Sequence, residues 1–247
     1  MRYLMVICST CLYVCACNPV GNEKHQQPAS TLTKTQLDSV LDSYNFSFAN
    51  PVIPDSSAYI LFPLGAYGEE KSKRSIIDLE SSVSTYDQPT GGHWNMLFFH
   101  IPTQQTHLLS EHKILIADYK PSLLEAGPLF KESILYLIHD TDFNSDGKLD
   151  RKDPRYLYLS DRAGKSFRRI SPEKEYVTKY QILPGSDQML IQARKDTNGD
   201  LVFGGEDELV WYFFDVNKNI SLQPILDSIG RKSMEEKFFK QWLQTAE

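Results

Sequence analysis

The sequence predicts an all-β protein of antiparallel β repeats, with a short helix at each end. Three observations carry this. Eight short runs rich in β-branched, leucine and aromatic residues recur between about Ala58 and Asp227. Clusters of Gly, Pro, Asn, Asp and Ser separate them, as expected between strands. One stretch then repeats itself farther along the chain, the mark of stacked structural units.

Composition sets the outer bounds. The chain has 247 residues and is 41% hydrophobic, enough to bury a core in one sizeable domain or two small ones. Acidic residues outnumber basic ones, 32 to 26, for a net charge of -6. A nucleic-acid partner would favour a basic face, so none is expected.

The elements follow in chain order. Arg2 precedes an apolar run, Tyr3 to Ala16, too short to cross a bilayer and of signal-peptide length. All four cysteines, Cys8, Cys11, Cys15 and Cys17, lie in this segment. It ends Val14-Cys15-Ala16-Cys17, which resembles the lipobox of bacterial lipoproteins. The resemblance implies that residues 1–17 are a lipoprotein signal and that Cys17 is lipidated. The chain would then sit in the bacterial cell envelope, on the periplasmic face or the cell surface, with the membrane as partner through its lipid. A mature chain keeping only Cys17 has no internal disulfide, so packing and bound metal remain to hold it together.

Residues 18–30 are polar and aperiodic, which predicts a flexible tether. Residues 31–247 are read as a single β-repeat domain. Thr33 and Gln36 form a capping box, and Leu37, Val40, Leu41 and Tyr44 fall on one helical face. The eight strand runs are Tyr59–Phe62, Met96–Ile101, Lys113–Ala117, Ile134–Ile138, Tyr156–Leu159, Tyr176–Leu183, Gln188–Ala193 and Leu209–Phe214. At the C-terminus, Ser233 and Glu236 predict a second capping box. Phe238, Phe239, Trp242 and Leu243 form a stripe expected to pack on the sheet.

The repeat is visible without gaps. Sliding Ile134–Asp161 forward by 54 residues brings Asp142 onto Asp196, Asn144 onto Asn198, Asp146 onto Asp200 and Asp153 onto Asp207. Leu137 meets Ile191, Leu149 meets Phe203, Leu157 meets Trp211, and Tyr158 meets Tyr212. A weaker third copy is read upstream, with Met96–Phe99 standing for Tyr156–Leu159 and Tyr59–Phe62 for the first strand. The unit Tyr156-Leu-Tyr-Leu-Ser-Asp-Arg-Ala-Gly, with the strand-turn-strand Gln181–Ile191, resembles the blades of TolB-type β-propellers. Propellers use 4–8 blades, and the spacing leaves room for about three. An open meander, or a sandwich capped by the helices, therefore competes with a propeller-like arrangement.

Two loops carry the chemistry. Residues 142–153 match D-x-[DN]-x-[DN]-G with an acid at the twelfth position. They resemble the calcium loops of EF-hands and of dockerins, which also use Asp there. Calcium takes 6–8 oxygens, and alternate residues turn theirs inward as the loop wraps the ion. Asp142, Asn144 and Asp146 would supply side-chain oxygens, and Gly147 would permit the turn. Lys148 would offer its carbonyl, Asp150 would bind through water and Asp153 directly, while Leu149 packs into the core. In the second loop Asp196, Asn198, Asp200, the Val202 carbonyl and Asp207 take the same places. Leu201 replaces the turn glycine and Gly204 brings no side chain to the ninth position. This site is expected to bind more weakly or to bend differently.

Strand-like runs flank the loops, and Pro154 follows the first, so they read as staples across β-hairpins. That favours structural calcium over a switching sensor, and argues against cohesin docking, which uses helices. The histidines (His25, His93, His100, His107, His112, His139) form no HExxH, and no nucleophile elbow or phosphate loop appears. The expected function is a non-catalytic calcium-binding module whose partner is a glycan or a protein. The alternative is a calcium-dependent enzyme acting on envelope glycan. Trp94, Trp211 and the tyrosines are read first as packing residues, and second as sugar-stacking ones.

Overall fold

The computed structural model describes residues 44–55, 57–68, 92–218 and 222–243. The expected signal segment (residues 1–17, with Cys17), the expected tether (18–30) and the expected helix from Thr33 to Leu41 lie outside them.

Among these residues, twelve strands make three four-stranded antiparallel sheets. The first holds β1 (Tyr44–Phe48), β2 (Tyr59–Gly68), β3 (Asn95–His100) and β4 (Gln105–Leu108). The second holds β5 (Leu115–Lys120), β6 (Ser133–His139), β7 (Tyr156–Asp161) and β8 (Arg168–Arg169). The third holds β9 (Glu175–Ile182), β10 (Gln188–Lys195), β11 (Glu208–Asp215) and β12 (Gln223–Pro224). Within each sheet every strand pairs with its neighbour in sequence. All eight runs read from the sequence are strands. Tyr44 opens β1, so its place on a helical face is corrected.

The middle sheet lies between the other two, and β6 shows why. All seven of its residues are buried. Side chains alternate across a strand. Ile134, Tyr136 and Ile138 join Leu61, Met96 and Phe98 of the first sheet in one core. Leu135 and Leu137 join Val177, Met189 and Ile191 of the third sheet in another. An unbroken apolar run is what a strand buried on both faces requires.

The pairing corrects the repeat. Ile116 faces Ile138 and Asp118 faces Leu137, leaving Ala117 bulged out. Val177 faces Ala193 and Lys179 faces Gln192, leaving Thr178 in the same position. Ile138 is therefore equivalent to Ala193, a shift of 55 residues. After the loop, Asp161 and Asp215 occupy matching ends of their hairpins, a shift of 54. Three residues, His139 to Thr141, stand where the third sheet has two, Arg194 and Lys195. A one-residue slip exchanges the faces of a strand. With the gap included, Ile134, Tyr136 and Ile138 match Met189, Ile191 and Ala193; the first three pack on the preceding sheet, as Met189 and Ile191 do.

Two short helices complete the described residues. Helix α1 (Pro128–Lys131) leads into β6 and buries Phe130. Helix α2 (Ser228–Phe238) is capped by Asp227, whose carboxylate accepts from the Gly230 amide at 2.7 Å. Ser233 thus lies inside the helix and caps nothing, because the helix starts a turn and a half earlier. A π-helical turn, Phe239–Leu243, extends it. The expected packing of its apolar stripe on the sheet is also corrected. Helix α2 buries no residue, and Trp242 is 75% exposed.

Candidate metal centre

Each acidic loop joins two paired strands, 142–153 between β6 and β7 and 196–207 between β10 and β11. Most of the hydrogen bonds that shape them are shared, though the first aspartate takes one different donor in each. Asp142 accepts the amides of Asp146 and Gly147 at 3.1 and 2.8 Å. Asp196 accepts those of Gly199 and Leu201 at 2.7 and 3.1 Å. Asn144 takes the Asp146 amide, and Asn198 takes that of Asp200. Asp146 takes Lys148, and Asp200 takes Val202. Asp150 turns onto the Lys152 amide at 2.8 Å, a bond that Gly204 lacks the side chain to make.

The twelfth position closes each ring. Asp153, 1% exposed, accepts from Phe143 and Asp150. Asp207 accepts from Thr197 and Gly204. Burial pushes the Asp153 carboxyl above its usual range, with the Asp142 charge adding to the effect. At Asp207 the Thr197 and Gly204 amides hold the carboxyl below that range.

The backbone bends the same way twice. Ser145 and Gly147 have φ of 58° and 84°, and their equivalents Gly199 and Leu201 have 75° and 61°. Glycine and non-glycine have changed places between two left-handed positions. The expectation that Leu201 bends the second loop differently is therefore corrected. A side chain in this region costs on the order of 1–2 kcal/mol, and the two aspartate bonds at Asp196 offset that cost. Leu149 is corrected too: it is half-buried and belongs to neither core.

The loops meet. The Phe143 and Phe203 rings lie 5.3 Å apart, and Phe203 also touches Tyr176 at 5.8 Å. Between the loops runs a cleft of about 770 Å³, lined by Asn144, Arg151, Lys152, Tyr176 and Arg194 among others. The Arg194 guanidinium donates to the Gly204 carbonyl, which fixes it beside the second loop.

Among the described residues, no three His, Cys, Asp or Glu side chains are gathered as a metal cluster. The reason is visible in the loops, where each carboxylate is turned onto an amide of its own turn. A carboxylate has about four lone-pair positions, so those bonds leave oxygen valence to spare. The donor set, all oxygen and mostly anionic, suits a hard cation.

Reading the sequence missed a second set of acids. Tyr158 and Tyr212 are repeat equivalents, and each donates its hydroxyl to a carboxylate. Tyr158 bonds Asp140, and Tyr212 bonds both oxygens of Glu175 at 2.9 Å. Burial raises the Glu175 carboxyl. The repeat showed the tyrosines, but the acids come from unmatched positions. His100 and His107 lie against Tyr59 at 4.7 and 6.0 Å, and His93 against Tyr119 at 6.2 Å. Compared with protein-family models and with curated proteins, the chain matches none.

Proposed function

We propose that this chain is a calcium-binding, non-catalytic module of the bacterial envelope, anchored by lipid on Cys17. Its three sheets are propeller-type blades. Two calcium ions act as staples across the β6–β7 and β10–β11 hairpins. Asp142, Asn144, Asp146, the Lys148 carbonyl, Asp150 and Asp153 would hold one. Asp196, Asn198, Asp200, the Val202 carbonyl and Asp207 would hold the other, more weakly. The partner is a glycan or a protein, and the cleft between the loops offers it cationic and aromatic side chains.

One observation carries the reading. Two loops at equivalent hairpin ends share most of their side-chain-to-amide bonds and the same left-handed positions. Ordinary turns have no reason to agree in such detail. Calcium would neutralise the loop carboxylates and tie the loop ends together, and binding to the folded state alone stabilises it by mass action.

Calorimetric titration of calcium into the chelator-stripped chain lacking residues 1–17 tests this. Two binding events are expected, with dissociation constants of about 10⁻⁴–10⁻³ M, and a raised melting temperature. Asp142→Ala and Asp196→Ala should each remove one event. No heat and no thermal shift at several millimolar calcium would overturn the reading.

A further inference from the structure

The cleft between the two acidic loops has an unbalanced lining. Arg151 and Lys152, at the tenth and eleventh positions of the first loop, are exposed and line it. Neither side chain forms a hydrogen bond or an ion pair with a described residue. Arg194 lines it too, bonded only through Nη1, to the Gly204 and Asp207 carbonyls. A guanidinium carries five donor hydrogens, so most of this one stays available. Among the described lining residues Asp200 is the one acid. Its two oxygens are turned onto the Val202 amide and the Asn198 side chain of its own loop. Three cations thus stand against one engaged carboxylate.

Aromatic rings share the lining with these charges. Tyr176 and Phe203 line the cleft with their rings 5.8 Å apart, and the Arg155 guanidinium lies 5.1 Å from the Tyr176 ring centre. The volume of about 770 Å³ suits a small ligand or a few linked sugars, since ligand clefts run to about 300–1,000 Å³. Guanidinium groups match the planar fork of a carboxylate, and aromatic rings suit the C–H faces of a pyranose. An acidic sugar carries both features on one ring.

The backbone argues against a peptide here. Tyr176 and Thr178 belong to β9, which lies at the edge of its sheet. An extended peptide binds such an edge by pairing with it. At the cleft that pairing is already filled. Val177 donates its amide to the Arg155 carbonyl at 2.9 Å. Arg155 donates Nε to the Val177 carbonyl at 2.8 Å and Nη2 to the Thr178 carbonyl at 3.2 Å. The strand therefore offers side chains to the cleft, not a free edge.

We propose that the cleft is a glycan site and that its ligand is a carboxylated sugar, a uronate of an acidic polysaccharide. Arg151, Lys152 and Arg194 take the carboxylate, and Tyr176 and Phe203 take the ring. The inference rests on the reading above that this cleft receives the partner, and it names the partner's chemistry. Calcium strengthens the binding through charge. The loops hold eight acids and three bases, and with Arg155 and Arg194 beside them the formal net charge is -3. Two calcium ions would turn it to +1.

Calorimetry on the full chain in non-ionic detergent tests this, with free calcium held fixed so that uptake by the sugar itself is the same for every variant. The probes are tetramers of galacturonate and of mannuronate, methyl-esterified tetragalacturonate, and tetraglutamate. A uronate tetramer should bind, and the ester and the peptide at least tenfold more weakly. Arg151→Gln and Lys152→Gln should each weaken the uronate by about fivefold, as for loss of an exposed charge pair. Both should leave the melt and the calcium events unchanged, because neither side chain has a partner to lose. Chelator and added salt should each weaken the uronate as well.

Two calcium events without uronate binding would overturn the glycan site and leave the calcium reading standing. Uronate binding that ignores both glutamine variants would overturn the placement in this cleft. Tetraglutamate or the ester binding as tightly as the uronate would overturn the ligand class. Uronate binding that both variants weaken, with no calcium event, would uphold the site and refute calcium. Neither kind of binding would overturn both.

Discussion

The left-handed glycines give the most direct test of the loop geometry. Gly147 and Gly199 have φ of 84° and 75°, and a Cβ built on either meets nothing within 4 Å. Gly204, five residues beyond Gly199, is equally open but has no left-handed φ. Alanine at all three therefore differs in backbone strain alone. A left-handed alanine costs about 1–2 kcal/mol. Losing the freedom of glycine in the unfolded chain returns about 0.4–1 kcal/mol. Gly147→Ala and Gly199→Ala should thus destabilise by about 0.5–1 kcal/mol net, while Gly204→Ala stabilises by about 0.4–1 kcal/mol. Urea unfolding with chelator and with calcium measures both. For a domain this size each kcal/mol moves the melting temperature by about 2–4 °C. If Gly199→Ala and Gly204→Ala shift stability in the same direction, the shared bend is wrong, and with it the equivalence of the loops.

Four other outcomes are expected. Gly164→Ala should cost about 2 kcal/mol or more, since its Cβ would stand 2.5 Å from the Phe98 ring at a φ of 71°; urea denaturation reads it. Burial holds the His139 imidazole down to about 4, while in the unfolded chain it titrates near 6.5. Its contribution is complete above pH 6.5 and fades as the pH falls towards 4, by up to about 3 kcal/mol, so His139→Gln should flatten the acid side of a chelated stability profile. Tyr136→Phe removes a buried 2.8 Å bond to Ser160 and should cost about 0.5–1.5 kcal/mol in the same denaturation assay. A double-mutant cycle on Phe143→Ala and Phe203→Ala should return a coupling of about 0.5–1.5 kcal/mol, and a zero value would deny that the loops touch.

What the sequence made legible follows from where each strand sits. The eight runs read as strands include every strand inside a sheet. Of the other four, β8 is legible only as the Arg/Ser-rich strand that ends the repeat unit, and β1, β4 and β12 were missed; all four are sheet edges. An edge strand is held by backbone pairing on one side and need not alternate. Arg168–Arg169 and Gln223–Pro224 carry no apolar pattern at all. The one-residue gap was hidden for the opposite reason. Residues of both parities on β6 are apolar, so Ile191 matches Leu137 as well as it matches Tyr136, and only the bulges fix the register. The acidic loops were legible because turn chemistry is local. The site formed by Glu175 and Tyr212 was not, since 37 residues separate its partners.

The exchange of glycines between the loops bears on what sets their shape. If glycine fixed the bend, the loop with Leu201 at the turn position would have relaxed to another one. It has not: Leu201 holds a φ of 61°. The constraint therefore comes from the ring of side-chain oxygens. In each loop four acidic or amide residues, at the first, third, fifth and twelfth positions, accept backbone amides. A bond of this kind contributes about 0.5–1.5 kcal/mol, so several together outweigh one strained residue. The same positions carry three aspartates in each loop. A fold that needed only a turn could have used Asn and Ser throughout. Aspartate at the first, fifth and twelfth positions of both loops instead offers anionic oxygen twice over, the donor type that the proposed hard cation takes.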